Sequence, residues 1–234
     1  DEVLVELLDR RRRAGQRCGR VERVVKRAST RFVGSFQPRG GSGWVQLDGT
    51  AGLDPIAVDD AAAAGAQPGD KVVIEMLSFP TAARRGSAVV VEVLGAQGKS
   101  GVDEATIIHE FGLPIEFPAE VLDEAREVAD RFNPDDLDGR LDLTGETLVT
   151  IDPADARDFD DAISLERRDD GGWKLGVHIS DVAWFVARDG ALDREARRRG
   201  TSVYLPGRVL PMFPEMLSNG LASLQQGRLR YARS

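Results

Sequence analysis

The sequence contains one cysteine, Cys18, in 234 residues, which excludes an internal disulfide and any disulfide partner within the chain. A reducing compartment is the default expectation. It has only two histidines, His109 and His178, and neither has a Cys or His partner at ligand spacing, which argues against a zinc site. Long apolar runs are missing. The longest, around Ala88–Val93 and Ile179–Ala187, are far too short to cross a bilayer. Residues 1–13 read DEVLVELLDRRRR, with charges where a secretory signal needs an apolar stretch, so a cytoplasmic chain away from membranes is expected. No Ser/His/Asp arrangement and no phosphate-cradling glycine loop is evident.

Hydrophobic residues at 41% and charged residues at 30% exclude a disordered tail and supply a core. The length suits one large domain or two of ordinary size. A net charge of −8 hides a strong asymmetry. Residues 1–40 hold eleven Arg/Lys against five Asp/Glu, a net of +6. Residues 101–162 hold four against nineteen, a net of −15, and residues 183–234 hold nine against four, a net of +5. Basic ends can hold a polyanion and an acidic middle can concentrate cations, although any one block alone reads as a solvated surface.

The first part reads as short strands: Val21–Val25, Arg31–Phe36, Trp44–Leu47, Val72–Met76 and Ser87–Leu94. The turn cluster Pro38–Gly43 and the absence of a long helix point to a small closed barrel of OB type over residues 16–97. Residues 98–145 read as a helical connector. Asp103 is expected to cap a short helix bearing Ile107, Ile108 and Phe111, and a longer helix starts near Pro118. On that helix Val121, Leu122, Ala125, Val128, Ala129 and Phe132 form one apolar stripe. From Glu146 the pattern becomes strand Leu148–Ile151, an Asp-rich turn, strand Ala162–Leu165, the turn Asp169–Gly172, strand Trp173–Ile179, and a helix over Asp193–Arg199.

The sharpest feature is the run from Ile151 to Ala162, with Asp152, Asp155, Asp158, Asp160 and Asp161 between two apolar strands. Like charges a few ångströms apart repel by roughly 4 kcal/mol per pair at an effective dielectric of 20. Proton sharing, an arginine or a divalent cation must offset that. Carboxylates without imidazole or thiolate favour a hard cation, Mg²⁺ or Mn²⁺. A solvated acidic turn is the plain alternative. A calcium loop fits poorly, because the segment lacks the central glycine and the closing glutamate of that template.

The segments TIDPADARDFDDAISL, GWKLGVHISDVAWFV and LDREARRRGTSVYLPGRVLPMFPEMLSNGLASL resemble the opening of the catalytic (RNB) domain of the ribonuclease II / ribonuclease R family. VVKRASTRFVGSF, the Gly69–Ile74 strand and VVVEVLG resemble that family's second cold-shock domain. The implied fold is α+β: an OB-fold (cold-shock-like) β-barrel followed by the N-terminal part of an RNB-type catalytic domain over residues 146–234. Residues 1–15 then read as the tail of a preceding cold-shock domain. The family's catalytic domain continues past the position of Ser234, so the chain is expected to be an internal piece of a longer enzyme, one that binds metal and RNA yet cleaves poorly by itself.

The resemblance implies a processive exonuclease that acts from the 3′ end of single-stranded RNA and releases nucleoside 5′-monophosphates. Matched position by position, Asp152, Asp158, Asp160 and Asp161 form its metal centre, with Mg²⁺ or Mn²⁺ bound. Asp152, Asp158 and Asp161 are assigned mainly to the metal and Asp160 to orienting the attacking water. Asp155 is not one of the four and reads as a turn former or a partner for Arg157. Tyr204 matches a family tyrosine near the 3′-terminal nucleotide, where a phenol ring stacks on any base for roughly 1–3 kcal/mol. A core tyrosine with a bonded hydroxyl is the competing reading.

Arg23, Lys26, Arg27 and Arg31 form a basic stripe suited to sequence-blind contact with an RNA backbone. Arg194, Arg197, Arg198 and Arg199 either touch phosphates, Arg198 and Arg199 foremost, or make a basic helix face in water. Alternation puts Phe32 and Phe36 on one barrel face, as core rather than a stacking platform with Trp44. His178 is expected to alternate out of its apolar strand and Asp181 to cap a turn. Two other functions stay open: an RNA-binding module without turnover, and a phosphohydrolase of small phosphates built on Asp158-Phe159-Asp160.

Overall fold

β-Branched residues at alternate positions and glycines between them produce most of the strands in the first half of the chain. The computed structural model describes residues 1–11, 17–40, 42–50, 54–58, 65–81, 83–136, 139–227 and 232–233, in two units, Asp1–Leu113 and Pro114–Ser234. The first unit opens with β1 (Glu2–Arg11) and β2 (Arg17–Lys26), an antiparallel pair in a sheet of their own. The segment Val21–Val25, expected in the barrel, therefore lies outside it and pairs with β1. Residues 12–16 lie outside the described residues. The physical reason is local: an antiparallel neighbour a few residues away closes at little entropic cost.

The closed barrel uses β3 (Arg31–Arg39), β4 (Ser42–Leu47), β5 (Ile56–Val58), β6 (Asp70–Ser78) and β7 (Ser87–Ala96), in the order β3-β4-β5-β7-β6. All pairs are antiparallel except β5 with β7. Phe36, Val45, Ile56, Val72, Ile74 and Met76 fill the interior, and Phe32 packs against them edge-on to Phe79. Gly34 permits the closest crossing. A β-carbon there would lie 2.4 Å from the Gln46 carbonyl oxygen, a backbone atom that cannot swing aside. Within the barrel Lys71 is nearly buried and pays for its desolvation through both carboxylate oxygens of Asp48, each 2.7 Å from Nζ. Helix α1 (Val102–Glu110) packs on β3, β6 and β7 through buried Val102 and Ile108. Gly101, at φ 83°, takes its N-cap position, and Asp103 sits in the first turn instead.

The second unit begins with α2 (Ala119–Arg131), whose apolar stripe buries Val121, Ala125 and Val128. Then follow β8 (Leu148–Val149), β9 (Asp161–Arg167), β10 (Trp173–Ser180), α3 (Val182–Phe185), α4 (Ala191–Arg199), β11 (Val203–Leu205), β12 (Arg208–Leu210), a π-helical turn over Met216–Leu221, and β13 (Ala232–Arg233). One antiparallel sheet has the order β13-β10-β9-β8. The α2 stripe meets Phe185, Leu192, Leu217 and Ala222 in a second core. Glu124 of α2 caps α4, whose own N-cap is a glycine. Its Oε2 accepts from the backbone N–H groups of Ala191 and Leu192 at 2.5 and 3.2 Å.

Two side chains differ from the sequence expectation here. His178 is buried, with Nε2 2.8 Å from the Ser164 hydroxyl across β9 and β10, while Val177 and Ile179 stay exposed. Gly176 leaves the room for this pair, since a β-carbon there would meet Ser164 Oγ and His178 Nε2. Asp181 makes no side-chain cap. It is buried and accepts from Arg140 at 3.1 Å. A buried carboxylate takes an arginine in preference to a turn N–H because the charge itself must be balanced.

Candidate metal centre and nucleic-acid interface

The acidic segment lies between β8 and β9. The Ala156 N–H donates to the Pro153 carbonyl at 3.0 Å and closes a turn, which fits the turn-forming reading of the exposed Asp155. Beyond the turn the chain runs through Asp158 and Asp160 into β9, whose first residue, Asp161, pairs with Ile179. Strand pairing thus fixes the end of the acidic run.

The run is held from behind by residues distant in sequence. Ser223 is fully buried. Its hydroxyl donates to the Arg157 carbonyl at 2.7 Å and accepts from the Phe159 N–H at 3.1 Å. The Leu224 N–H donates to the Phe159 carbonyl at 2.9 Å, and the Ser180 N–H donates to the Asp160 carbonyl at 2.8 Å. The Ser180 hydroxyl makes a short bond to the Ala222 carbonyl. In the sequence both serines lie inside longer segments, with nothing that marks a role for either. Their signal is weak: Ser223 is a small polar residue between Ala222 and Leu224, and Ser180 lies between Ile179 and Asp181.

Asp158 is half-buried, while Asp152, Asp160 and Asp161 reach solvent. Partial burial, followed by the charges of Asp158, Asp161 and Asp152, pushes the Asp160 carboxyl above the usual carboxylate range. The four groups therefore share one electrostatic environment centred on Asp160. They are not drawn tightly around one point: among the described residues no group of three or more His, Cys, Asp or Glu is gathered so as to hold an ion. The donor set is purely carboxylate, which suits a hard cation; its present spacing is open.

Tyr204 of β11 leaves its ring 64% exposed while its hydroxyl donates to Asp158 Oδ2 at 2.7 Å. This bond, with some burial and the charges of Asp158 and Asp160, pushes the phenol up to about 12. Tyr204 is thus not a core tyrosine. Its flat face is open and its polar end is anchored in the acidic cluster.

The basic candidates divide. Arg23 and Lys26 are exposed on β2. Arg27 pairs with Asp1 at 2.7 Å and lies 4.1 Å from the Phe79 ring centre, and Arg31 pairs with Glu75 at 3.0 Å. Arg198 is exposed and bound to Glu195 at 3.0 Å. Arg199 corrects the expectation of a phosphate contact. Its side chain is 3% exposed, its Nε donates to Glu195 at 2.8 Å, and its other nitrogens donate to the carbonyls of Pro114, Glu116 and Pro211. It also lies over Phe117. A guanidinium enclosed this way fastens α4 to its surroundings and has no face to offer RNA. On the barrel Phe36 is core and Phe32 is partly buried. Trp44 is half-buried and lines a cavity of about 400 Å³ with Arg39, Asp54, Pro55 and Arg85.

Residues 44–118 match the model of the cold shock domain and residues 140–234 that of the RNB domain. Ribonuclease R of Thermotoga maritima is 44% identical over 241 residues, an alignment that covers 100% of this chain and 33% of that protein. The apo form of Mycoplasma genitalium RNase R superposes with a TM-score of 0.77 at 25% identity, over 99% of this chain and 39% of that one. The same organism's RNase R in complex with double-stranded RNA gives 0.71 at 26% identity, over 92% and 40%. This chain thus spans about a third of the length of the Thermotoga relative. With a cold-shock barrel, an RNB segment and the aspartate motif in one order along one chain, it is similar along its whole length to members of the ribonuclease II / ribonuclease R family.

Proposed function

We propose that the chain belongs to a processive 3′-to-5′ exoribonuclease that degrades single-stranded RNA to nucleoside 5′-monophosphates in the cytoplasm. The observation that carries this reading is the Tyr204–Asp158 hydrogen bond at 2.7 Å. It joins an exposed aromatic face, suited to any terminal base, to the carboxylates beside which the last phosphodiester would lie. Asp152, Asp158, Asp160 and Asp161 would hold Mg²⁺ or Mn²⁺. Bound there, the ions would supply charge neutralisation and an activated water. Asp160, whose partial burial and then its acidic neighbours favour its taking a proton, is the group to accept a hydrogen bond from the attacking water. Tyr204 orients the terminal nucleotide against that group. Arg23 and Lys26, with Arg27 and Arg31, would contact RNA phosphates without reading sequence. The existing pairs of Arg27 and Arg31 are at the surface, worth about 0–1 kcal/mol, so a phosphate can compete for them. Arg198, whose guanidinium is exposed, would contact phosphates in the same manner. Among the described residues no helix is long and apolar enough to cross a membrane.

The open spacing of the four aspartates favours a second reading, an RNA-binding module without turnover. One assay separates the two. The chain is incubated with Mg²⁺ and single-stranded RNA labelled at either end. Mononucleotide release from the 3′ end supports the exonuclease, and binding without release supports the module.

A further inference from the structure

We infer that Ser223 is a positioning residue for the aspartate centre, an inference that rests on the metal-dependent reading above. Asp158 is flanked by two backbone groups bound to one hydroxyl, the Arg157 carbonyl at 2.7 Å and the Phe159 N–H at 3.1 Å. A single side-chain oxygen that bonds both neighbours of a residue fixes the direction in which that residue leaves the chain. The backbone at Asp160 is held separately, by Leu224 N–H to the Phe159 carbonyl and Ser180 N–H to the Asp160 carbonyl. The clamp is anchored. Ala222 belongs to the second core with Leu217 and Phe185, and its carbonyl takes the Ser180 hydroxyl. Ser223 itself is fully buried. The hydroxyl therefore refers the setting of Asp158, and with the adjoining backbone bonds its spacing from Asp160, to the interior of the second unit rather than to a surface turn. Side chains that repel one another cannot set that spacing by themselves.

Ser223→Ala would leave the Arg157 carbonyl and the Phe159 N–H without their buried partner. The consequence specific to positioning is weaker metal binding, because partners behind metal ligands typically govern affinity by tenfold or more. The test is Mn²⁺ titration of the full 234-residue chain by electron paramagnetic resonance, with melting temperatures recorded alongside. Four proteins are compared: the unsubstituted chain, S223A, S223T, and V128A, which opens a cavity in the same core without touching the clamp. The expected result is Mn²⁺ affinity about tenfold or more weaker in S223A, unchanged in V128A, and largely restored in S223T, which keeps the oxygen despite an added buried methyl. If S223A does not fold, S223T decides: a folded S223T that has lost Mn²⁺ overturns the inference. Equal affinity in S223A and the unsubstituted chain, or equal loss in V128A, also overturns it. No Mn²⁺ bound by the unsubstituted chain would instead sink the metal reading, and this inference with it.

Discussion

The bond between Tyr204 and Asp158 makes a prediction that can be followed at one atom. The sequence has two tyrosines, Tyr204 and Tyr231, so a phenolate absorbance titration resolves at most two steps. Tyr204 is pushed from the ordinary 10.0 up to about 12, first because ionising it gives up a hydrogen bond to a carboxylate, then because burial and the charges of Asp158 and Asp160 oppose a second negative charge. Each unit is a factor of ten, so midway between the two values an ordinary phenol is about nine-tenths ionised and Tyr204 about one-tenth. Tyr204→Phe should remove the high step. Asp158→Asn should bring it back toward 10.0, since an amide accepts a hydrogen bond without holding the charge. The sign for stability follows from the raised value. The bond supports the fold at neutral pH and is lost as pH rises through about 12. With the ring largely in solvent, Tyr204→Phe should cost under about 1 kcal/mol in urea unfolding. Two tyrosines titrating together near 10.0 in the folded chain, with circular dichroism unchanged, would refute the reasoning.

Other substitutions test the supports around the site. Arg199→Ala leaves the buried Glu195 carboxylate to the exposed Arg198 and takes the donor from three carbonyls, and should lower unfolding free energy by up to about 3–5 kcal/mol. Arg198→Ala, at the surface, should cost less than about 1 kcal/mol in the same urea series. In the barrel, Ile74→Ala should cost about 2–5 kcal/mol by chemical denaturation, since Ile74 is fully enclosed. Asp160→Asn should raise the melting temperature rather than lower it. The raised Asp160 carboxyl favours the folded state below the ordinary carboxylate range and loses that contribution as pH rises through its folded value, so an amide relieves the strain and flattens the pH dependence.

Local chemistry was legible in the sequence. Barrel strands β3, β4, β6 and β7 announced themselves through β-branched alternation and glycine turns, the three-residue β5 did not, and the α2 stripe showed through its spacing of three and four. The aspartate run was legible because its density is costly without a purpose. The supports were not, because their partners are far apart in the chain. Tyr204 lies 46 residues from Asp158, Ser223 lies 64 residues from Phe159, and Arg199 reaches a carbonyl 85 residues away. No periodicity encodes such contacts. Arg199 also shows the limit of reading charge as surface. In sequence it ends a basic run of three arginines, yet Glu195 one helical turn earlier and a ring of carbonyls draw it inside. The first strand pair failed for a related reason: a β-branched segment declares that it is a strand but not which strand it joins.

The central claim is that the aspartates centred on Asp160 carry out hydrolysis at the 3′ end of RNA. Single-turnover release of mononucleotide by excess chain, with Mg²⁺ and 3′-labelled single-stranded RNA, tests it directly when Asp160→Asn is run beside the unsubstituted chain and RNA affinity is measured for both. The account predicts that Asp160→Asn abolishes release and leaves RNA affinity nearly intact. Equal release by the two proteins, or release that persists in excess EDTA, would contradict it.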